Sequence, residues 1–226
     1  MQSELIKYLS QFITKERFEL LKKVIEQRSR YLSVVLEDIY QSHNASAVLR
    51  TCDCFGIQDV HVIENQNIFT LNPRVVQGAS KWLNLQYYNS EKNNSATALK
   101  HLRSQGYRIV ATVPDPKAVP LSDFDLNKGK TALVFGSEKP GISGSVVDLA
   151  DEFITIPMCG FTESLNISVS AAVIVSRLME KLRDSEIVWQ MNENEKNDMI
   201  ISWLRKNIKQ CDLLEKRFEE GVRGDK

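Results

Sequence analysis

With 226 residues, 42% hydrophobic and 26% charged, the chain can form one large domain or a domain with appendages, and has the composition of an ordered globular protein. Its 29 Lys/Arg balance 29 Asp/Glu, which at first argues against a nucleic-acid partner. No apolar run approaches the roughly twenty residues of a membrane helix, and "MQSELIKYLSQF" lacks the build of a signal peptide, so a cytoplasmic protein with no membrane partner is expected.

Residues 3–29 read as two amphipathic helices, with Leu5, Ile6, Leu9 and Phe12 on the first and Phe18, Leu21, Val24 and Ile25 on the second. From residue 31 the texture changes to short runs rich in β-branched residues: "YLSVVLED", "VHVIE", "LNLQYY", "YRIVATV", "TALVFG" and "FITIP". Helical stretches at 44–55, 95–105, 144–150 and 164–183 separate most of them. Such alternation, with near-continuous apolar strands, predicts an α/β fold: a parallel sheet with helices on both faces. A polar helical region follows at 192–220, and "GVRGDK" is expected to fray. The organisation is thus an N-terminal helical extension (1–30), a central α/β domain (31–183) and a C-terminal helical extension (184–226).

The charge is unevenly spread. Residues 1–30 hold seven Lys/Arg against four Asp/Glu, 31–176 hold eleven against fourteen, and 203–217 hold five against two. Lys22, Lys23, Arg28 and Arg30 are placed late in the second helix, and Arg205, Lys206 and Lys209 within about one turn of each other. Both clusters suit phosphate contacts; the alternative is a pair of solvated helix faces. The cysteines, Cys52, Cys54, Cys159 and Cys211, form no C-x-x-C pair and only three histidines accompany them. No metal is expected, and the thiols read as reduced and packed.

In open α/β sheets ligands sit beyond the carboxyl ends of the strands. "QSHNASAVLR", "TVPDPKA", "GSEKPGISG" and "MCGFTESLN" all follow strands, yet neither G-x-G-x-x-G nor a P-loop occurs. In "FGSEKPGISG", Gly136 ends a buried strand and Pro140-Gly141 favours a tight turn whose backbone groups can read an adenine edge. Glu138, taken alone, is an ordinary turn carboxylate. In "IPMCGFTESLNISVSAA", Ser164 can cap a helix beginning near Leu165. Asn166 then falls in the first turn, where a poor helix former suggests a hydrogen-bonding role. In "QSHNASAVLRTCDCFG", Asn44 is an N-cap candidate, and His43 and Arg50, seven residues apart, share a helix face. A surface ion pair is the alternative for Arg50.

Together, "HNASAVLRTCDCFG", "LVFGSEKPGIS" and "IPMCGFTESLNISVSAA" resemble, in order and spacing, the three motifs of the SPOUT RNA ribose methyltransferases. The likeness is closest to the TrmH group, the tRNA (guanosine-2′-O-)-methyltransferases, and spans about residues 31–180. It implies a C-terminal trefoil knot, S-adenosylmethionine as cofactor, tRNA as partner and a homodimer. Carried over by position, Thr112, Gly136, Ile156 and Leu165 line the cofactor site. Asn44, Arg50, Glu138, Ser164 and Asn166 match the family's catalytic positions, and His43 becomes an RNA contact. Ser46 stands where many members carry Gly, and Ser170 replaces a more usual Ala. The activity implied is methylation of a ribose 2′-hydroxyl in tRNA, at the D-loop guanosine. Ribosomal RNA, another tRNA position and non-catalytic RNA binding remain as alternatives.

Overall fold

The computed structural model describes residues 2–137 and 139–224, with side chains as far as Gly221. In chain order these form α1 (Gln2–Leu9), α2 (Lys15–Ile25), β1 (Leu32–Glu37), α3 (Ser42–Phe55), β2 (Asp59–Ile63) and α4 (Pro73–Val76). There follow β3 (Asn84–Tyr88), α5 (Asn94–Ser104), β4 (Arg108–Thr112), β5 (Val119–Pro120), β6 (Thr131–Phe135) and α6 (Gly144–Leu149). The last elements are β7 (Glu152–Thr155), α7 (Ile167–Arg183), α8 (Glu193–Asn207) and α9 (Cys211–Gly224).

The chain divides into two compact units, Ser29–Trp189 and Met1–Arg28 with Gln190–Lys226. In the larger, all seven strands pair in parallel in the order β3-β2-β1-β6-β4-β7-β5. Successive residues of a strand face opposite ways, so each central strand feeds two cores. Leu32, Val34 and Leu36 of β1 pack with Leu49 of α3 and Ile174 of α7, while Val35 joins Leu99 of α5 and Val146 of α6. Helices thus cover both faces, which is why all six residues of β1 are buried. The α3 helix stops at Gly56, whose φ of 87° suits a residue without Cβ.

The smaller unit joins the two ends of the chain. Thr14 caps α2 by accepting the Arg17 N–H at 3.2 Å. A reciprocal Asn192–Glu195 capping box opens α8. Leu9, Leu21, Ile25, Trp203 and Leu204 are buried.

Several boundaries differ from the sequence expectation. The 192–220 region is two helices: Ile208 leaves α8 extended, and Gln210 adopts a left-handed φ of 55° before α9. Helix α9 then runs on to Gly224, through most of the stretch expected to fray. Helix α2 ends at Ile25, so Arg28 and Arg30 lie beyond it. Cys52 and Cys211 are buried, but Cys54 and Cys159 are exposed rather than packed.

Candidate active site

The neighbouring strands β6, β4 and β7 end at one cavity of about 430 Å³. Thr112, Gly136, Ile156 and Leu165 all line it, together with Ser164 and Asn166. Thr112 closes β4, and its hydroxyl donates to the Val134 carbonyl of β6 at 3.0 Å, fixing the two strand ends. Beyond β6 the chain curls back: the Ser137 N–H donates to the Gly141 carbonyl at 3.1 Å, and Gly141 takes a φ of 91°. This return brings backbone directly against Gly136. A Cβ there would lie 2.3 Å from the Gly141 carbonyl carbon and 2.4 Å from the Ile142 nitrogen. Glycine is therefore a steric requirement at 136, not only a turn preference.

Two amides join this cavity to α3. Asn166, rather than Ser164, is the N-cap of α7, because the 156–166 segment continues two residues further than the sequence suggested before the helix begins. Its Oδ1 accepts the Ser168 N–H at 2.9 Å and the Ser168 hydroxyl at 2.6 Å. Its Nδ2 donates to Asn44 Oδ1 at 3.2 Å, and Asn44 Nδ2 donates to Gln41 Oε1 at 3.0 Å. Asn44 is not a cap: α3 starts at Ser42, and Asn44 is buried in its first turn. The 122-residue separation hid this pairing from any local reading. Ser164 is exposed at the cavity.

His43 and Arg50 are exposed two turns apart on α3. Among the described residues Arg50 has no hydrogen bond or ion pair. Glu138 lies outside the described residues. Ser46, fully buried, accepts the Asn72 N–H through its hydroxyl at 2.7 Å and so ties α3 to the start of α4.

The basic residues separate into different environments. Arg28 is 2% exposed, with its guanidinium 5.6 Å from the Trp203 ring, so burial removes it from the expected phosphate contacts. Arg30 pairs with Asp59 at 3.2 Å. Lys23 is exposed, and Lys22 is exposed but paired with Glu19 at 2.8 Å. Arg205 bridges α8 to Glu215 of α9 at 2.8 Å, Lys206 is exposed, and Lys209 stands in the break between those helices instead of on the same turn. Among the described residues no His, Cys, Asp or Glu cluster suits a metal, and no helix is long and apolar enough to cross a membrane.

The SpoU rRNA Methylase family matches residues 31–176. A tRNA (guanosine(18)-2′-O)-methyltransferase of Borreliella burgdorferi is 44% identical, over 92% of this chain and 93% of that protein. The crystal structure of a TrmH/SpoU tRNA modifying enzyme from A. aeolicus superposes with a TM-score of 0.76 at 27% identity, covering 85% of this chain and 97% of that one. At 22% identity, and so as a likeness of fold alone, the SpoU methyltransferase AviRb of Streptomyces viridochromogenes, solved in complex with AdoMet, has a TM-score of 0.59. That match covers 73% of this chain and 62% of AviRb.

Proposed function

The chain belongs to the SpoU rRNA methylase family, and on that footing we propose that it is a tRNA (guanosine-2′-O-)-methyltransferase acting on guanosine 18. One observation carries the reading. The strand-end cavity that gathers Thr112, Gly136, Ile156 and Leu165 is joined by the Asn166–Asn44 hydrogen bond to the helix presenting Arg50.

The cavity suits S-adenosylmethionine. Its walls combine apolar side chains such as Ile142 and Ile156 with the backbone of two loops, and it lacks the lysine of a phosphate-binding loop. When bound, the cofactor supplies an electrophilic methyl group. Thr112, Gly136, Ile156 and Leu165 hold it, while Ser164 shapes the mouth. A knot in the polypeptide belongs to the same reading, supported by the backbone wrapped against Gly136.

A ribose 2′-hydroxyl is a poor nucleophile until its proton leaves, and the two reacting atoms must be aligned. Arg50 cannot serve readily as a base, since a guanidinium stays protonated. It binds the adjoining phosphate and stabilises alkoxide charge as this develops. Asn44 and Asn166 are positioning residues that hold α3 against the cavity loop. The α/β domain performs the chemistry, and exposed Lys22, Lys23, Arg205 and Lys206 on the terminal helices, with Lys209 in the break between α8 and α9, add phosphate contacts. The enzyme works in the cytoplasm as a homodimer, supported by exposed Met158, Phe161, Leu165 and Val169 on and beside the cavity loop.

Incubating the protein with an unmodified tRNA transcript and methyl-labelled S-adenosylmethionine, then digesting to nucleosides, tests this. Label is expected in 2′-O-methylguanosine at position 18. Label confined to ribosomal RNA, or no transfer at all, would overturn the reading.

A further inference from the structure

A second concavity, an open groove of about 710 Å³, lies beside the site described above. Residues 40–43, from the β1–α3 connection into the first turn of α3, form one wall, and residues 66–70, beyond β2, form the other. Two apolar side chains stand in it with little cover: Tyr40 is 74% exposed and Ile68 79% exposed. Among the described residues the Tyr40 hydroxyl has no hydrogen-bond partner and its ring no aromatic neighbour. Nothing inside the chain therefore accounts for a large aromatic held in water.

The groove is nevertheless rigidly built. Asp38, at a left-handed φ of 51°, follows β1 directly and turns its carboxylate onto the facing loop. That carboxylate accepts the Asn65, Gln66 and Asn67 N–H groups at 2.7, 2.8 and 3.2 Å. Asn67 Nδ2 returns a bond to the Asp38 carbonyl at 3.0 Å. The start of the 66–70 wall is thus tied to the end of β1 before any ligand arrives, which lowers the ordering cost of binding there.

Its position is as telling as its build. The groove tops β1 and β2, the cavity tops β6, β4 and β7, and β1 pairs directly with β6. Parallel neighbours are about 4.8 Å apart, so the centres of the two concavities lie roughly 10–15 Å apart, within the reach of one or two nucleotides. Gln41 and His43 line the groove, and Gln41 also holds Asn44, the partner of Asn166.

We propose that this groove binds an unstacked RNA base beside the target ribose, with Tyr40 as its stacking platform and Ile68 as the opposing apolar wall. The inference rests on the proposed function, since it takes the reacting ribose to lie at the cavity mouth. Stacking on an aromatic ring tolerates any base, while the polar edges of Gln41, His43 and Asn67 can discriminate among them. The groove thereby positions the nucleotide, and Tyr40 is a positioning residue.

The test is equilibrium binding of an unmodified tRNA transcript to the full chain, without cofactor and at fixed salt. Tyr40→Ala is expected to weaken binding roughly tenfold or more, the effect of losing one stacked base, and Tyr40→Phe to bind as the wild type does. Thermal unfolding and S-adenosylmethionine affinity should be unchanged in both. Wild-type affinity in Tyr40→Ala would overturn the proposal, as would a loss in Tyr40→Phe equal to that in Tyr40→Ala. A drop in thermal stability alongside the binding loss would assign Tyr40 to the fold and overturn it too. If the wild-type chain methylates guanosine 18 while Tyr40→Ala binds normally, only the groove inference fails; a wild type that neither binds nor methylates tRNA sinks both.

Discussion

Among the described glycines, Gly136 stands out in having no room for a Cβ. The atoms a Cβ would strike are backbone atoms of Gly141 and Ile142, which cannot rotate aside as a side chain can. Gly136→Ala must therefore push the 137–142 loop away from the end of β6, at a cost of about 1–3 kcal/mol in stability. The same displacement deforms the cavity wall, so S-adenosylmethionine affinity should fall by an order of magnitude or more, read by calorimetry. An Ala variant with unaltered affinity would show that the loop plays no part in holding the cofactor. At this scale the sequence was a partial guide. Glycine after a buried strand signals a turn, but the close return of the chain onto it is a tertiary fact. Asn44 and Asn166 were singled out for their residue type, while their bond to each other depended on α3 packing against α7.

Among the elements, β2, β3 and α5 share a buried titratable layer. His61 of β2 meets the Tyr88 hydroxyl of β3 at 3.1 Å, and His101 of α5 approaches the same ring. Burial first, and the nearby His101 second, push the His61 imidazole from 6.5 down to about 4. The unfolded chain therefore holds more protons between those values, and stability falls as pH drops through that window. The loss attributable to His61 reaches about 3 kcal/mol at the acid end. Chemical denaturation across pH should give a flatter profile for His61→Gln than for the wild type between pH 6.5 and 4; parallel profiles would refute the assignment. Element reading from sequence succeeded where side-chain pattern decides and failed where backbone detail does. The six short runs picked out in the sequence are all strands. Strand β5, two residues ending in proline, carried no such signal. Neither Gly nor Pro marks the break between α8 and α9, and Ser164 offered a plausible cap two residues before the one used.

For the whole molecule, the proposed second copy would be expected to cover Phe161, which is fully exposed, with Met158, Leu165 and Val169 exposed in the same stretch of chain. Light scattering at micromolar concentration should give twice the monomer mass, and Phe161→Glu should shift the population to monomer, since burying that charge unpaired is unfavourable. A wild-type monomer with full methyltransferase activity would exclude the dimer. The smaller unit, assembled from both ends of the chain, has a consequence for synthesis. Helices α1 and α2 leave the ribosome first, but α8, whose residues bury with theirs, follows only after the whole of Ser29–Trp189 has been made. At typical elongation rates Leu9, Leu21 and Ile25 wait on the order of ten seconds or more for that partner. During that interval the nascent chain carries an unmatched apolar helix pair ahead of a large parallel sheet that is itself slow to close. A chain truncated before residue 190 would thus carry the Ser29–Trp189 unit behind an apolar helix pair with no partner, and chaperone demand should peak at that length of chain.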